Sequence, residues 1–200
     1  MAVSMSTPRI RLTQFLYVLA LLAVALTDGR ALEGMAGLAA QAAGFALVVA
    51  GTLWRVWASA FIAGRKDAEV VDAGPYARCR HPLYLGSLVA GLGLALSTRS
   101  IVLTVALPSI LTALLGLAIR REERLLKDQH DEAWLRYRDR VPALWPRSGP
   151  VPAVGRREVD LPVYRKAFFD AATMMLLWLL VISLDGLRAR GAWEALFALP

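Results

Sequence analysis

Cysteine is almost absent from this 200-residue chain: Cys79 stands alone. An intrachain disulfide and a multi-cysteine metal cluster are therefore excluded. Histidine is nearly as scarce, with only His81 and His130, too few for an ordinary structural zinc site. Charged residues make up 20% of the chain, and whole windows of about the length of a membrane span, roughly 20 residues, carry none. That segregation excludes a disordered chain, a coiled coil and a small soluble enzyme. Internal repeats and low-complexity tracts are also missing.

The chain is instead 57% hydrophobic, with mean hydropathy +0.49. Soluble domains sit near 45–50% apolar. The length suits one domain. The pattern predicts an all-α, polytopic membrane bundle with one charged aqueous face. Five apolar segments are expected as spans: Leu12–Thr27, Met35–Trp57, Pro82–Ser97, Ile101–Ile119 and Ala167–Leu184, the last interrupted by Asp170. The first lies behind Arg9 and Arg11, a placement that also fits a secretory signal peptide.

The net charge of +7 would suit nucleic acid, but the basic residues flank the apolar segments, as the positive-inside rule expects. Nucleic acid is therefore not an expected partner. With the N-terminus inside, residues 1–11, 63–81 and 120–166 hold two, four and twelve Lys or Arg, eighteen in all. The outer pieces hold four: Arg30, Arg99, Arg188 and Arg190. This split predicts an inner or plasma-type membrane, a cytoplasmic N-terminus and an outer C-terminus, and it favours a retained first span over a cleaved signal. Arg55 lies within the second segment beside Trp54 and Trp57, and reads as a snorkelling side chain in an aromatic belt.

Only Ser97-Thr98-Arg99-Ser100 separates the third and fourth segments, so they are expected to form an antiparallel hairpin. Two clusters fall where its cytoplasmic ends meet. The first runs from Gly74-Pro75-Tyr76 through Arg80-His81-Pro82-Leu83-Tyr84 to Gly86. Gly74-Pro75 marks a turn, and Pro82 suits the first position of a helix. Open N–H groups on Leu83 and Tyr84 would favour an anion such as a carboxylate. The second cluster is Arg120-Arg121-Glu122-Glu123, where paired carboxylates suit a cation. Their default partners are Arg120 and Lys127 at helical spacing. The helix is expected to run on through Leu125, Leu126, Trp134 and Tyr137 and to stop at Val141-Pro142. Anion and cation sites facing each other suit a zwitterionic ligand with a separate positive centre. Residues 148–162, with Pro150, Pro152, Gly155 and Pro162, read as a linker.

These strings, over about residues 66–146, resemble the membrane methyltransferases of the isoprenylcysteine carboxyl methyltransferase and phospholipid methyltransferase superfamily. The likeness is carried by Gly74-Pro75-Tyr76, by Arg80-His81-Pro82-x-Tyr84-x-Gly86, by Glu122-Glu123 and by Tyr137-x3-Val141-Pro142. Their spacing is closer to the isoprenylcysteine group. The resemblance implies S-adenosylmethionine as cofactor, S-adenosylhomocysteine as product, and a multi-span fold with the cofactor at the cytoplasmic face. The acceptor would be lipophilic or amphiphilic and would enter from the bilayer. The resemblance implies cofactor contacts from Val70, Val71, Tyr76, Arg80, His81, Pro82, Leu83, Tyr84 and Glu122. Gly91-Leu92-Gly93 resembles a Gly-x-Gly element of the phospholipid branch, which adds Gly93. Arg120 is assigned to orienting the acceptor, since a guanidinium suits carboxylate or phosphate, and Glu123 is the second catalytic candidate. Methyl transfer from a sulfonium needs orientation and exclusion of water more than acid–base help.

The expected layout is a single domain: N-terminal spans over 1–65, a methyltransferase core over 66–146, and a linker with a C-terminal span over 147–200. Three departures from the family pattern stand out. Ala118 takes the place of a frequent Arg, His130-Asp131 that of a Phe-Gly pair, and Trp134 that of a Tyr. Alternatives are a phospholipid-amine or thiol acceptor, and a non-catalytic subunit that kept the fold. A transporter is disfavoured, because no span carries an ionisable residue near mid-membrane and no repeat is present.

Overall fold

The structure is a computed structural model that describes residues 31–64, 69–149 and 159–191, with the backbone of 27–28 and 197–198. Four α-helices account for most of it: α1 (Gly34–Ile62), α2 (Pro82–Ser97), α3 (Ile101–Arg140) and α4 (Leu161–Ala189). A 3-10 turn, Gly74–Ala77, precedes α2. A two-residue parallel pairing joins Thr27–Asp28 to Phe197–Ala198. The expected span Leu12–Thr27 lies outside the described residues, apart from the backbone of Thr27.

Three helical stretches, Gly34–Ile62, Ile101–Arg140 and Tyr164–Arg188, are long and apolar enough to cross a membrane. The fourth helix, α2, is apolar but has 16 residues, about 24 Å at 1.5 Å per residue, just short of a hydrocarbon core of roughly 30 Å. Large apolar side chains cover the outside of the bundle. Leu38 and Leu53 on α1, Val105 and Leu117 on α3, and Phe169 and Leu176 on α4 are all more than half exposed. An apolar exterior of this extent is the surface of a protein solvated by lipid.

Small residues set the packing between α1 and α2. A Cβ on Gly51 would stand 2.5 Å from the Gly86 carbonyl oxygen and 2.6 Å from the Ala90 nitrogen. A Cβ on Gly93 would stand 2.5 Å from the Gly44 carbonyl oxygen. Backbones approach this closely only where no side chain intervenes, as at the small-residue interfaces of membrane helices. The turn into α3 is local chemistry. Ser100 caps the helix by accepting from the Leu103 N–H at 3.3 Å, and Thr98 bonds the Ala95 carbonyl at 2.6 Å. Arg99 takes a left-handed φ of 60° to close the link.

Beyond its apolar stretch, Ile101–Ile119, α3 continues as a charged helix. It breaks direction at Asp131, whose φ of 22° and ψ of −93° are not helical. After that kink, Trp134, Tyr137 and Val141 pack back on Leu126 and Val70. The amphipathic end of α3 thereby covers the loop before α2.

α4 is tied to the hairpin and to α1 at both ends. Arg99 pairs with Asp185, which also accepts from Gln41 at 2.9 Å. The Trp178 indole donates to Ser97 at 3.0 Å. Nearer the charged end, Arg55 faces Asp170.

Candidate functional site

Backbone pairing brings the two motif clusters together. The Arg80 N–H donates to the Pro142 carbonyl at 2.9 Å, the His81 N–H to Ala143 at 3.0 Å, and the Arg147 N–H to Arg78 at 2.8 Å. The loop before α2 is thus fixed against the segment that follows α3. From inside, the Tyr137 hydroxyl donates to the Tyr76 carbonyl at 2.8 Å.

A narrow cleft, partly open to solvent, lies between them, with about 40 Å³ of enclosed space, room for a few waters. Six expected residues line it: Val70, Val71, Tyr76, Arg80, His81 and Glu122. Ile62, Glu69, Leu126, Trp134 and Tyr137 complete the wall.

The two carboxylates have different partners. Glu123 Oε1 lies 3.0 Å from His81 Nε2 and 3.2 Å from an Arg80 guanidinium nitrogen. A carboxylate can only accept, so the imidazole donates. The His81 hydrogen bond holds the Glu123 carboxyl below the usual range, against its partial burial and with help from the Arg80 charge. Glu122 accepts instead from the neutral Tyr84 hydroxyl at 2.7 Å. The His81 and Tyr84 rings stack at 5.6 Å, and Arg80 lies 5.6 Å from the centre of the Trp134 ring.

Tyr76 is 5% exposed, and its hydroxyl has no hydrogen-bond partner among the described residues. Burial, then the Glu122 charge, pushes its phenol well above the usual range. A buried unmet hydroxyl on a cleft wall costs free energy unless something else partners it. Cys79 is fully buried beneath the loop, and burial raises its thiol to about 11, which suits packing and not nucleophilic chemistry.

Carboxylate, aromatic faces and an unmet hydroxyl together suit a ligand with an onium centre and polar groups nearby. Anionic and π-rich walls attract such cations without requiring them to donate protons. The donor set therefore fits S-adenosylmethionine, whose sulfonium and amine are cationic and whose remainder is polar and flat.

The other expected residues fall elsewhere. Pro82 is fully buried at the first position of α2. Leu83 packs on the cluster formed by Ala58, Val71 and Tyr76. The Tyr84 N–H is not open to a ligand as expected, because it donates to the His81 carbonyl at 3.1 Å. Gly93 faces Gly44 and Val48 of α1, at a helix contact away from the cleft. Arg120 is exposed and does not line the cleft. Neither Arg120 nor Lys127 pairs with Glu123, whose partners come across the hairpin. Arg55 does not simply snorkel: it bonds the Leu83 carbonyl at 3.2 Å and the Ser87 hydroxyl. Trp134 is the main addition to the site. It is 2% exposed, and its place in the helical pattern gave no sign that the kink at Asp131 would turn it under Arg80.

The sequence model of the phospholipid methyltransferase family matches residues 32–133. The cobalt-zinc-cadmium resistance protein CzcN of Cupriavidus metallidurans is 31% identical over 148 residues, 74% of this chain and 68% of that one. The nickel-cobalt-cadmium resistance protein NccN of Alcaligenes xylosoxydans xylosoxydans is 39% identical over 100 residues, 50% of this chain and 46% of that one. No solved structure matches the chain.

Proposed function

Because this chain belongs to the phospholipid methyltransferase family, we propose that it transfers a methyl group from S-adenosylmethionine to a lipophilic or amphiphilic acceptor in the bilayer. The observation that carries this reading is the convergence of Tyr76, Arg80, His81 and Glu122 on one cleft, with Tyr84 bonded to Glu122. When bound there, the cofactor supplies an electrophilic methyl group open to in-line displacement.

The residues have separate tasks in this reading. Glu122, oriented by Tyr84, holds the cationic part of the cofactor. Tyr76 offers its hydroxyl, and Val70, Val71 and Trp134 enclose the flat part and exclude water. Glu123 is a positioning residue: with Arg80 and His81 it locks the middle of α3 to the start of α2. Rate enhancement then comes from orientation and dehydration, worth up to roughly 7–11 kcal/mol where reactants are held in line.

The reading extends to topology. Five spans, with Leu12–Thr27 as the first, put the cleft on the cytoplasmic side of an inner or plasma-type membrane, in one domain whose core is residues 66–146. The names of CzcN and NccN concern resistance to cobalt, zinc, cadmium and nickel. Among the described residues no cluster of three His, Cys, Asp or Glu is placed to hold a metal. In this reading a role of this chain in metal tolerance would run through methylation of a membrane component.

The test is transfer of labelled methyl from S-adenosylmethionine to a membrane extract by the purified protein in lipid nanodiscs. Label in the organic phase, abolished by Glu122→Ala, is the expected result. Cofactor binding with no transfer to any acceptor would favour a non-catalytic subunit that kept the fold.

A further inference from the structure

One charged group inside the bundle is left with unused hydrogen-bonding capacity. Arg55 lies on α1, seven residues before its end, about 10 Å along the axis. Its Nη1 is engaged by the Leu83 carbonyl at 3.2 Å and by the Ser87 hydroxyl. The Ser87 proton is itself committed to the Leu83 carbonyl at 2.9 Å. Nη2 meets only Asp170, at 3.7 Å, beyond hydrogen-bond distance.

Three further observations concern the same spot. Asp170 has 47% of its side chain exposed. The neighbouring Trp54 indole N–H is buried and has no hydrogen-bond partner among the described residues. Both side chains cross Gly86 on α2, where a Cβ would stand 2.6 Å from Arg55 Cγ and 3.3 Å from the Trp54 ring. Two donors with spare capacity thus flank one glycine, two positions from the Tyr84 that bonds Glu122.

The other end of α4 provides a comparison within the molecule. There Asp185 is held in close contact by Arg99 and accepts from Gln41 at 2.9 Å. That pair is in closer contact and its carboxylate has a second donor, although the Arg99 Nε is buried without a partner among the described residues. The Arg55–Asp170 pair is longer, half-exposed and unsupported by a second donor. An ionisable side chain within a membrane-crossing helix is a candidate ligand position, and here the counter-ion beside it is only loosely engaged.

We infer that Arg55, with the Trp54 indole beside it, binds the phosphate or carboxylate head of an amphiphilic ligand that reaches it between α1 and α4, with Asp170 as its displaceable counter-ion. A guanidinium with a free edge suits either oxyanion, and an indole N–H adds a neutral donor. That this ligand is the methyl acceptor rests on the reading above. The anion site itself stands on Arg55, Trp54 and Asp170.

The experiment titrates the full chain, in phosphatidylcholine nanodiscs, with dodecyl phosphate, following tryptophan fluorescence, with inorganic phosphate and dodecyl maltoside as parallel arms. Arg55→Gln should weaken dodecyl phosphate binding by about tenfold or more, the loss of a charge-assisted hydrogen bond. Asp170→Asn should tighten it several-fold, because it removes the competing anion. A structural pair predicts the opposite for Asp170→Asn, so unchanged or weaker binding in that variant overturns the inference. Asp170→Asn also carries the test if Arg55→Gln fails to fold. Inorganic phosphate or dodecyl maltoside binding as well as dodecyl phosphate would overturn the assignment to an anionic amphiphile. A separate titration of the wild-type chain with S-adenosylmethionine, if silent, refutes the methyl-transfer reading and leaves the anion-site result standing.

Discussion

Gly86→Ala tests whether the motif glycine serves the contact between α1 and α2. The added Cβ would stand 2.6 Å from Arg55 Cγ and 2.7 Å from the Gly51 carbonyl oxygen. Real Cβ atoms essentially never come within 3.0 Å of a neighbour, and ordinary contact begins near 3.4 Å, so α2 must retreat by about 0.3–0.7 Å from the Gly51 carbonyl. Overpacking of this size costs roughly 1–3 kcal/mol, offset by the roughly 1 kcal/mol by which Ala exceeds Gly in a helix. The net change runs from about zero to a loss of about 2 kcal/mol, or up to about 8 °C in Tm for a chain of this length. The same retreat pulls Tyr84 off Glu122, which it meets at 2.7 Å, so cofactor affinity should fall as well. Gly116→Ala is the control. Gly116 is helical, and a Cβ there meets nothing within 4 Å, so its Tm should hold or rise. Thermal unfolding of both variants in one detergent decides the matter. A Gly86→Ala protein whose Tm rises as much as that of Gly116→Ala, or an equal fall for Gly116→Ala, would refute the packing argument.

Three further predictions concern the cleft. Tyr137→Phe removes the donor to the buried Tyr76 carbonyl and should cost about 1–3 kcal/mol in chemical denaturation, whereas Tyr76→Phe removes a hydroxyl with no partner, leaves stability nearly unchanged and weakens cofactor binding; equal stability losses would contradict this. Glu123 has a lowered folded pKa, so its stabilisation is full above the unfolded value of about 4.3 and is lost as pH falls through the folded value. Glu123→Gln should therefore flatten the acid limb of a Tm-against-pH curve, and an unchanged limb would show that the His81–Glu123 contact adds nothing. Asp131→Gly relieves a non-glycine φ of 22° and should raise stability by about 0.5–1 kcal/mol, read as a higher denaturant midpoint.

The elements set by local chemistry were legible in the sequence. Pro82 at the first turn and the tight link through Ser100 predict α2 as Pro82–Ser97 and the start of α3 at Ile101, and both bounds are observed. Val141-Pro142 marks the end of α3 in the same way. Contacts between distant segments were not legible. The pairing of Arg80 and His81 with Pro142 and Ala143 depends on where the chain returns after the kink, and His130-Asp131 reads in sequence only as a departure from the family's Phe-Gly. The kink explains why a glycine suits that position. Gly91 and Gly93 gave an ambiguous signal, since packing and ligand approach both call for glycine. Arg55 reads as an interfacial anchor because its partners, Leu83 and Asp170, lie 28 and 115 positions away.

For the candidate site, Val70, Val71, Tyr76, Arg80, His81 and Glu122 came from family likeness and line one cleft. The different partners of the two carboxylates required the structure. Helical periodicity puts Glu122 and Glu123 side by side, and only the position of α2 decides that Arg80 and His81 take one and Tyr84 the other.

Isothermal titration of the purified chain with S-adenosylmethionine and S-adenosylhomocysteine, beside Glu122→Ala and Tyr84→Phe, tests the central claim most directly. The account predicts binding of both by the wild-type chain, loss of at least about tenfold in Glu122→Ala, and a smaller loss in Tyr84→Phe. No binding by the folded wild-type chain, or equal binding by all three proteins, would contradict it.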